Sequence, residues 1–268
     1  ALCMREGELA SEIVNDVKQG KRRVKSQLTP QTLLQQCAIK AAFNYRYLRV
    51  IRIAVHPQIQ GVNIGKALLA FVVDYAKNAG IDIVSTSYAA NEQISNFWLQ
   101  SDFVMARLGF NKDASSGEHS ALMLQSTTDA SETFVNDINE EFYQSLPLWL
   151  CDEFSDISPA LSALLLSAMP NKVQPVISDR DLEALFAVSI NINLYHQMIP
   201  SMQRWLIHLL SKTSENEQRL IDSTTALPLL SKVLMKVSDT EVCERYGFTG
   251  KKALYRYIQD FVTENINK

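Results

Sequence analysis

The residues whose types and spacing could do chemistry sit in Arg52–Leu69, RIAVHPQIQGVNIGKALL. A β-branched run ends at His56-Pro57, a loop follows with Gly61, Asn63 and Gly65, and apolar residues then recur at helical spacing. A strand–loop–helix of this kind aims consecutive backbone N–H groups at one point. The helix N-terminus adds partial positive charge there, so the loop suits a pyrophosphate. Glycine and asparagine let the backbone turn sharply and approach a ligand closely. The loop is not a P-loop. Gly61 and Gly65 are separated by three residues where four are needed, and Ala67 stands where Ser or Thr would hold magnesium. It also lacks the G-x-G-x-x-G of a dinucleotide fold.

The elements that must position this loop are legible around it. Val50–Val55 is expected as a strand stopped by proline. Ile64–Ala79 is expected as an amphipathic helix closed by Gly80, and Ile81–Tyr88 as a second strand. A helix over Glu92–Gln100 and strands at Phe103–Leu108 and Ser120–Leu124 complete a β-α-β-α-β-β order. That order predicts a parallel pair with a crossover helix and a closing hairpin. From Asp129 onward only helical periodicity remains: Glu132–Leu146, Ser155–Ala168, Asp179–Ile190, Leu194–Lys212 and Thr225–Met235. Breaks are expected at Pro147, Pro159, Pro170, Pro175 and Pro200. The polar stretch Ser126–Ser131 predicts a boundary between a first domain, 1–128, and a helical second, 129–268.

Composition excludes several classes. The 268 residues are 47% hydrophobic and 21% charged, which is globular composition. The apolar run around Ala160–Ala168 is far short of the ~20 residues needed to span a bilayer, so no membrane role is expected. Cys3, Cys37, Cys151 and Cys243 have no paired spacing, which argues against a disulfide frame and against a metal site. Residues 1–128 carry 14 Lys+Arg against 10 Asp+Glu, whereas 129–268 carry 12 against 19. The first half is thus mildly basic, as suits an anionic partner.

The stretch Gln60-Gly61-Val62-Asn63-Ile64-Gly65, after a strand ending V-x-P, resembles motif A of the GNAT acetyltransferases, with Asn63 in place of the first glycine. Asparagine tolerates positive φ, so the replacement preserves the turn. Three further features narrow the likeness: RIAVHP, Phe97-Trp98 ahead of Phe103, and Arg107-Leu108-Gly109 followed by Ala114-Ser115-Ser116-Gly117. Together they resemble the bacterial tRNA(Met) cytidine acetyltransferases, over about Ala1–Gln125 and more loosely into the helical tail.

That resemblance implies an α/β (α+β) GNAT acyltransferase fold followed by an all-α domain that holds tRNA. It implies a cytoplasmic acyltransferase that uses acetyl-CoA to form N4-acetylcytidine at the wobble position of elongator tRNA(Met). The family also carries an N-terminal module that uses ATP or GTP. The chain is therefore expected to be a fragment beginning within a strand at Ala1-Leu2-Cys3-Met4, without the fold's first strands. In the family the loop grips the pyrophosphate and the neighbouring strand pairs with the pantetheine arm. This assigns acetyl-CoA to Ile53, Ala54, Val55, Gln60, Gly61, Val62, Asn63, Ile64, Gly65 and Lys66, with Gln93 and Gln100 bordering the arm.

The tyrosine that many GNAT enzymes use as acid is replaced by Trp98, and Asp102 replaces a family glycine. No catalytic residue is assigned, His56 being the leading candidate base and His119 a lesser one; for His56 the favoured reading is a histidine that orients the loop before Pro57. Arg107, Ser115 and Ser116 are candidates to touch RNA or the cofactor, or else form a turn and a surface arginine. In the tail, Asp239–Ile258 reads as helix, glycine turn, helix, with Lys251, Lys252 and Arg256 as RNA candidates beside Tyr255 and Tyr257. An ordinary helical hairpin fits that stretch as well. Two other readings stay open: a GNAT enzyme acting on a protein or small-molecule amine, and a non-catalytic module that binds acyl-CoA or tRNA.

Overall fold

A computed structural model describes residues 1–212 and 223–267. These fall into two compact units, Ala1–Phe142 and Tyr143–Lys268.

The first unit is built on a five-stranded mixed sheet in the order β1-β2-β3-β5-β4. The strands are β1 (Leu2–Glu6), β2 (Tyr47–Arg52), β3 (Ile83–Ala89), β4 (Val104–Lys112) and β5 (His119–Ser126). Helices α1 (Ser11–Lys18) and α2 (Leu28–Gln36) precede β2, α3 (Ile64–Asn78) links β2 to β3, and α4 (Glu92–Leu99) links β3 to β4. The expected parallel pair is β2 with β3, and the closing hairpin is β4 with β5. The first unit is thus an α/β (α+β) layer of sheet and helices, and a helical portion follows it.

One face of the sheet carries Tyr47, Ile83, Ala106, Leu122 and Leu124, packed with Val17, Leu33 and Leu34 from α1 and α2. Alternation along β5 turns Met123 to the other face, where it meets Tyr88, and Tyr88 in turn stacks near Trp98 of α4. Helix α3 buries Leu69, Val72, Val73 and Ala76, the apolar stripe its sequence shows.

Helix α5 runs Asp129–Leu150, and the division between units falls inside it rather than at the polar stretch before it. The reason is packing. Val135 and Ile138 join the core of the sheet unit, and the Asn139 side-chain amide donates to the Met105 carbonyl at 2.8 Å.

The second unit is helical: α6 (Pro159–Ser167), α7 (Asp179–Ile190), α8 (Tyr195–Ser211), α9 (Ser223–Leu229), α10 (Asp239–Tyr246) and α11 (Lys251–Asn265). Pro159 opens α6 at a position where a missing N–H costs nothing. Pro147 and Pro200, expected as breaks, lie inside α5 and α8 instead. A proline inside a helix costs about 3 kcal/mol. In α8 that cost is offset by burial of Met202, Trp205, Leu206 and Leu209. The expected Thr225–Met235 helix is α9 continued by a π-helical turn, Leu230–Leu234, shortly after Pro228. Gly247, at φ +74°, closes α10, and the Phe248 N–H reaches back to the Cys243 carbonyl.

Candidate functional site

The parallel strands β2 and β3 part at the loop end of the sheet. Their ladder runs from Tyr47↔Ile83 to Val50↔Thr86 and stops, although β3 continues to Ala89. The buried Thr86 hydroxyl approaches the Val50 carbonyl at 3.5 Å at this fork. Strand β2 ends at Arg52, so Ile53–Val55 are not the strand residues they were expected to be. They lead on from β2 with no ladder partner from β3. An open strand edge of this kind can pair with an extended chain bearing amides.

Ile53, Ala54 and Val55 wall a cavity of about 560 Å³ with Ile59, Gln60, Gly61, Asn63, Ile64, Gly65, Lys66, Gln93, Ile94, Phe97 and Trp98. The bend that closes it uses two left-handed residues, Gly61 at φ +80° and Asn63 at φ +63°. Asn63 is the N-cap of α3 but makes no side-chain cap bond. The first-turn amides of α3 have no intrahelical partner, so a ligand can take them. Gly65 lets α3 approach α4 closely: a β-carbon there would lie 3.2 Å from Cε2 of Phe97, so that ring would have to give way. An elongated ligand with amides at one end and a diphosphate at the other fits this cleft.

Val62 and Gln100 do not line it. Val62 is 66% exposed. Gln93 and Gln100 share a face of α4, but seven residues of helix separate them by about 10 Å along the axis. Gln100 bonds Asn96 Oδ1 at 3.2 Å and faces a separate depression with Leu69, Asp74, Lys77, Asp102 and Gln125. Lys66 borders both.

Lys66 is also the one ionisable side chain among the described residues lining the cleft. His56 is exposed, and its Nδ1 accepts from the Gln58 N–H at 3.4 Å, capping the turn Pro57–Ile59. Its place is at the loop's entrance, outside the cavity lining. Trp98 is buried against Phe103, ring centroids 4.8 Å apart. Sequence reasoning missed the phenol beside it. Tyr88 donates to Ser95 Oγ and Met123 Sδ, and burial pushes its pKa up to about 12.

The remaining candidates are tied into turns or the core. Asp113 Oδ1 accepts from the amides of Ser115 and Ser116 and from the Ser115 hydroxyl. Those bonds, that from the Ser115 hydroxyl foremost, hold the Asp113 carboxyl below the usual range. The serines thus form the turn. His119 is buried, with Nδ1 2.7 Å from the Gly109 carbonyl oxygen. Arg107 is half-buried on β4, its guanidinium beside Gly109, and burial lowers its pKa. In the second unit Lys251 is paired with Asp239 at 3.0 Å, while Lys252 and Arg256 are exposed.

Comparison with known proteins follows the same lines. Residues 2–83 match the GNAT acetyltransferase 2 family. The chain is 26% identical over 251 residues to the tRNA(Met) cytidine acetyltransferase TmcA of Nitrosococcus halophilus, covering 94% of this chain and 33% of that protein. The Vibrio cholerae protein of the same name is 29% identical over 259 residues, 96% of this chain and 34% of its own. The Haemophilus influenzae protein reaches 34% over 147 residues, 54% of this chain and 22% of its own. The chain spans about a third of the length of the first two. The chain is thus similar to the GNAT acetyltransferase 2 family over a segment that takes in β1, β2, the left-handed loop and α3 of the first unit.

Proposed function

We propose that the chain transfers the acetyl group of acetyl-CoA to the exocyclic N4 of the wobble cytidine of elongator tRNA(Met), giving N4-acetylcytidine and free coenzyme A, whose sulfur leaves as the C–N bond forms and takes up the proton that N4 loses. The observation that carries this reading is the open edge of Ile53–Val55 running into the left-handed bend at Gly61 and Asn63. When bound, acetyl-CoA supplies the acyl group as a thioester. Amides of the loop and the first turn of α3 hold the diphosphate, and the edge of Ile53–Val55 holds the pantetheine amides. A backbone N–H of that edge supports the thioester oxygen as charge develops on it.

The exocyclic amine is uncharged, and its lone pair is delocalised into the ring. It needs positioning more than deprotonation beforehand. A polyamine or lysine substrate carries an ammonium that needs an anionic group to bind and deprotonate it. The mildly basic first half, with 14 Lys+Arg against 10 Asp+Glu, suits RNA better. The name shared by the long-range relatives supports RNA as acceptor.

The test is transfer from labelled acetyl-CoA to an elongator tRNA(Met) transcript, followed by nucleoside analysis. Label in N4-acetylcytidine is expected. Label on protein or polyamine, with none on RNA, overturns the reading.

A further inference from the structure

We infer that the first turns of α11 form a site for two successive nucleotides of single-stranded RNA, one base on each side of Lys252. This rests on the proposed tRNA-acceptor reading and adds to it where and how the RNA is held. Two grooves flank this part of the helix. One, about 460 Å³, is walled by Asn193, His196, Lys251, Lys252 and Tyr255. The other, about 430 Å³, is walled by Phe248, Thr249, Lys252, Arg256 and Tyr257, with Asp260 at its edge. Lys252 borders both.

Each groove has an aromatic ring held in advance. Asp239 lies between Lys232, at 2.6 Å, and Lys251, at 3.0 Å. That pairing places the Lys251 ammonium 5.3 Å from the centroid of the Tyr255 ring, whose other neighbours are Tyr195 at 5.0 Å and His196 at 6.4 Å. Lys251 therefore steadies an aromatic platform rather than waiting for a phosphate. In the second groove Phe248 and Tyr257 lie 5.2 Å apart, and the Tyr257 hydroxyl donates to the Thr225 carbonyl. Rings already fixed lose little freedom when a base stacks on them.

Lys252 and Arg256 stand four residues apart, hence on one helical face. Both are exposed, and neither makes an ion pair among the described residues. Cations between two aromatic platforms match the alternation of phosphate and base along an unpaired strand. A duplex hides its base faces and asks for a longer row of cations, which a segment with 12 Lys+Arg against 19 Asp+Glu does not offer.

The test uses the 268-residue chain with fluorescent oligouridine, a blunt RNA duplex of equal length, and the tRNA transcript. Oligouridine should bind more tightly than the duplex. Tyr255→Leu and the exposed His196→Ala should each weaken oligouridine binding, Tyr255→Leu by about tenfold. Tyr255→Phe should keep wild-type affinity, since it keeps the ring. Lys252→Gln should lower the magnitude of the salt slope by about one. Equal binding of duplex and single strand, or unchanged affinity in Tyr255→Leu and His196→Ala, overturns the inference. If the tRNA transcript still binds and is acetylated in that case, the proposed function stands. If the wild-type chain binds no RNA at all, both fail.

Discussion

Asn63 shows how far a single residue can be read. Its side chain contributes no cap bond, and its value lies in adopting φ +63° at modest cost. That is a local property, so the left-handed bend was visible from residue types alone. Asn63→Gly should bind acetyl-CoA within a few-fold of wild type, whereas Asn63→Val should lose about tenfold, a left-handed β-branched residue costing roughly 1–2 kcal/mol. Calorimetric titration of the two variants checks this. The serines of the 114–117 turn were less legible. Both a nucleic-acid contact and a turn fit Ser115 and Ser116, and only their bonds to Asp113 show that the turn is formed. Gln100 lies off the cleft for a related reason: helical phase gives a face, but the length of a cleft is a tertiary fact.

At the scale of elements, the periodic segments were read well and the prolines badly. Asp179–Ile190 is helical over the range its apolar periodicity predicts, and Ser178 and Asp181 close its start with a capping box. Pro147 and Pro200 were misread because burial of apolar neighbours is invisible to a local rule. Asp181 also carries a prediction. Its bond from Arg204 holds the carboxyl far below its ordinary value, despite burial acting the other way. A carboxyl depressed on folding stabilises the fold above its unfolded pKa, about 3.9, and that contribution is lost as pH falls below it. Asp181→Ala should lose the cap and the ion pair together. Expected is a loss of about 2 kcal/mol at pH 7, and clearly less at pH 3, read by chemical denaturation of the second unit.

Over the molecule as a whole, two kinds of similarity cover different lengths. The family match spans residues 2–83, while the Nitrosococcus halophilus and Vibrio cholerae proteins align along 94% and 96% of the chain. The alternating half was legible because strands and a crossover helix leave a change of period in the sequence. The helical half was legible only as helices, since amphipathic stripes do not say which neighbour covers them. Charge is likewise separated by halves, so RNA affinity should rest on few phosphate contacts. A shallow dependence of log affinity on log salt is expected, with a slope of magnitude about 2–4 at roughly 0.7–0.9 per contact. A slope near that of a highly basic RNA binder would contradict it.

The account stands on amides around Gln60–Lys66 holding a diphosphate, and calorimetry with two acyl donors tests this most directly. Acetyl-CoA should bind the wild-type chain, and acetyl-pantetheine, which lacks the diphosphate, should bind far more weakly. Gly61→Val should narrow that difference by weakening acetyl-CoA alone. Equal affinity for the two donors, or acetyl-CoA binding untouched by Gly61→Val, would contradict it.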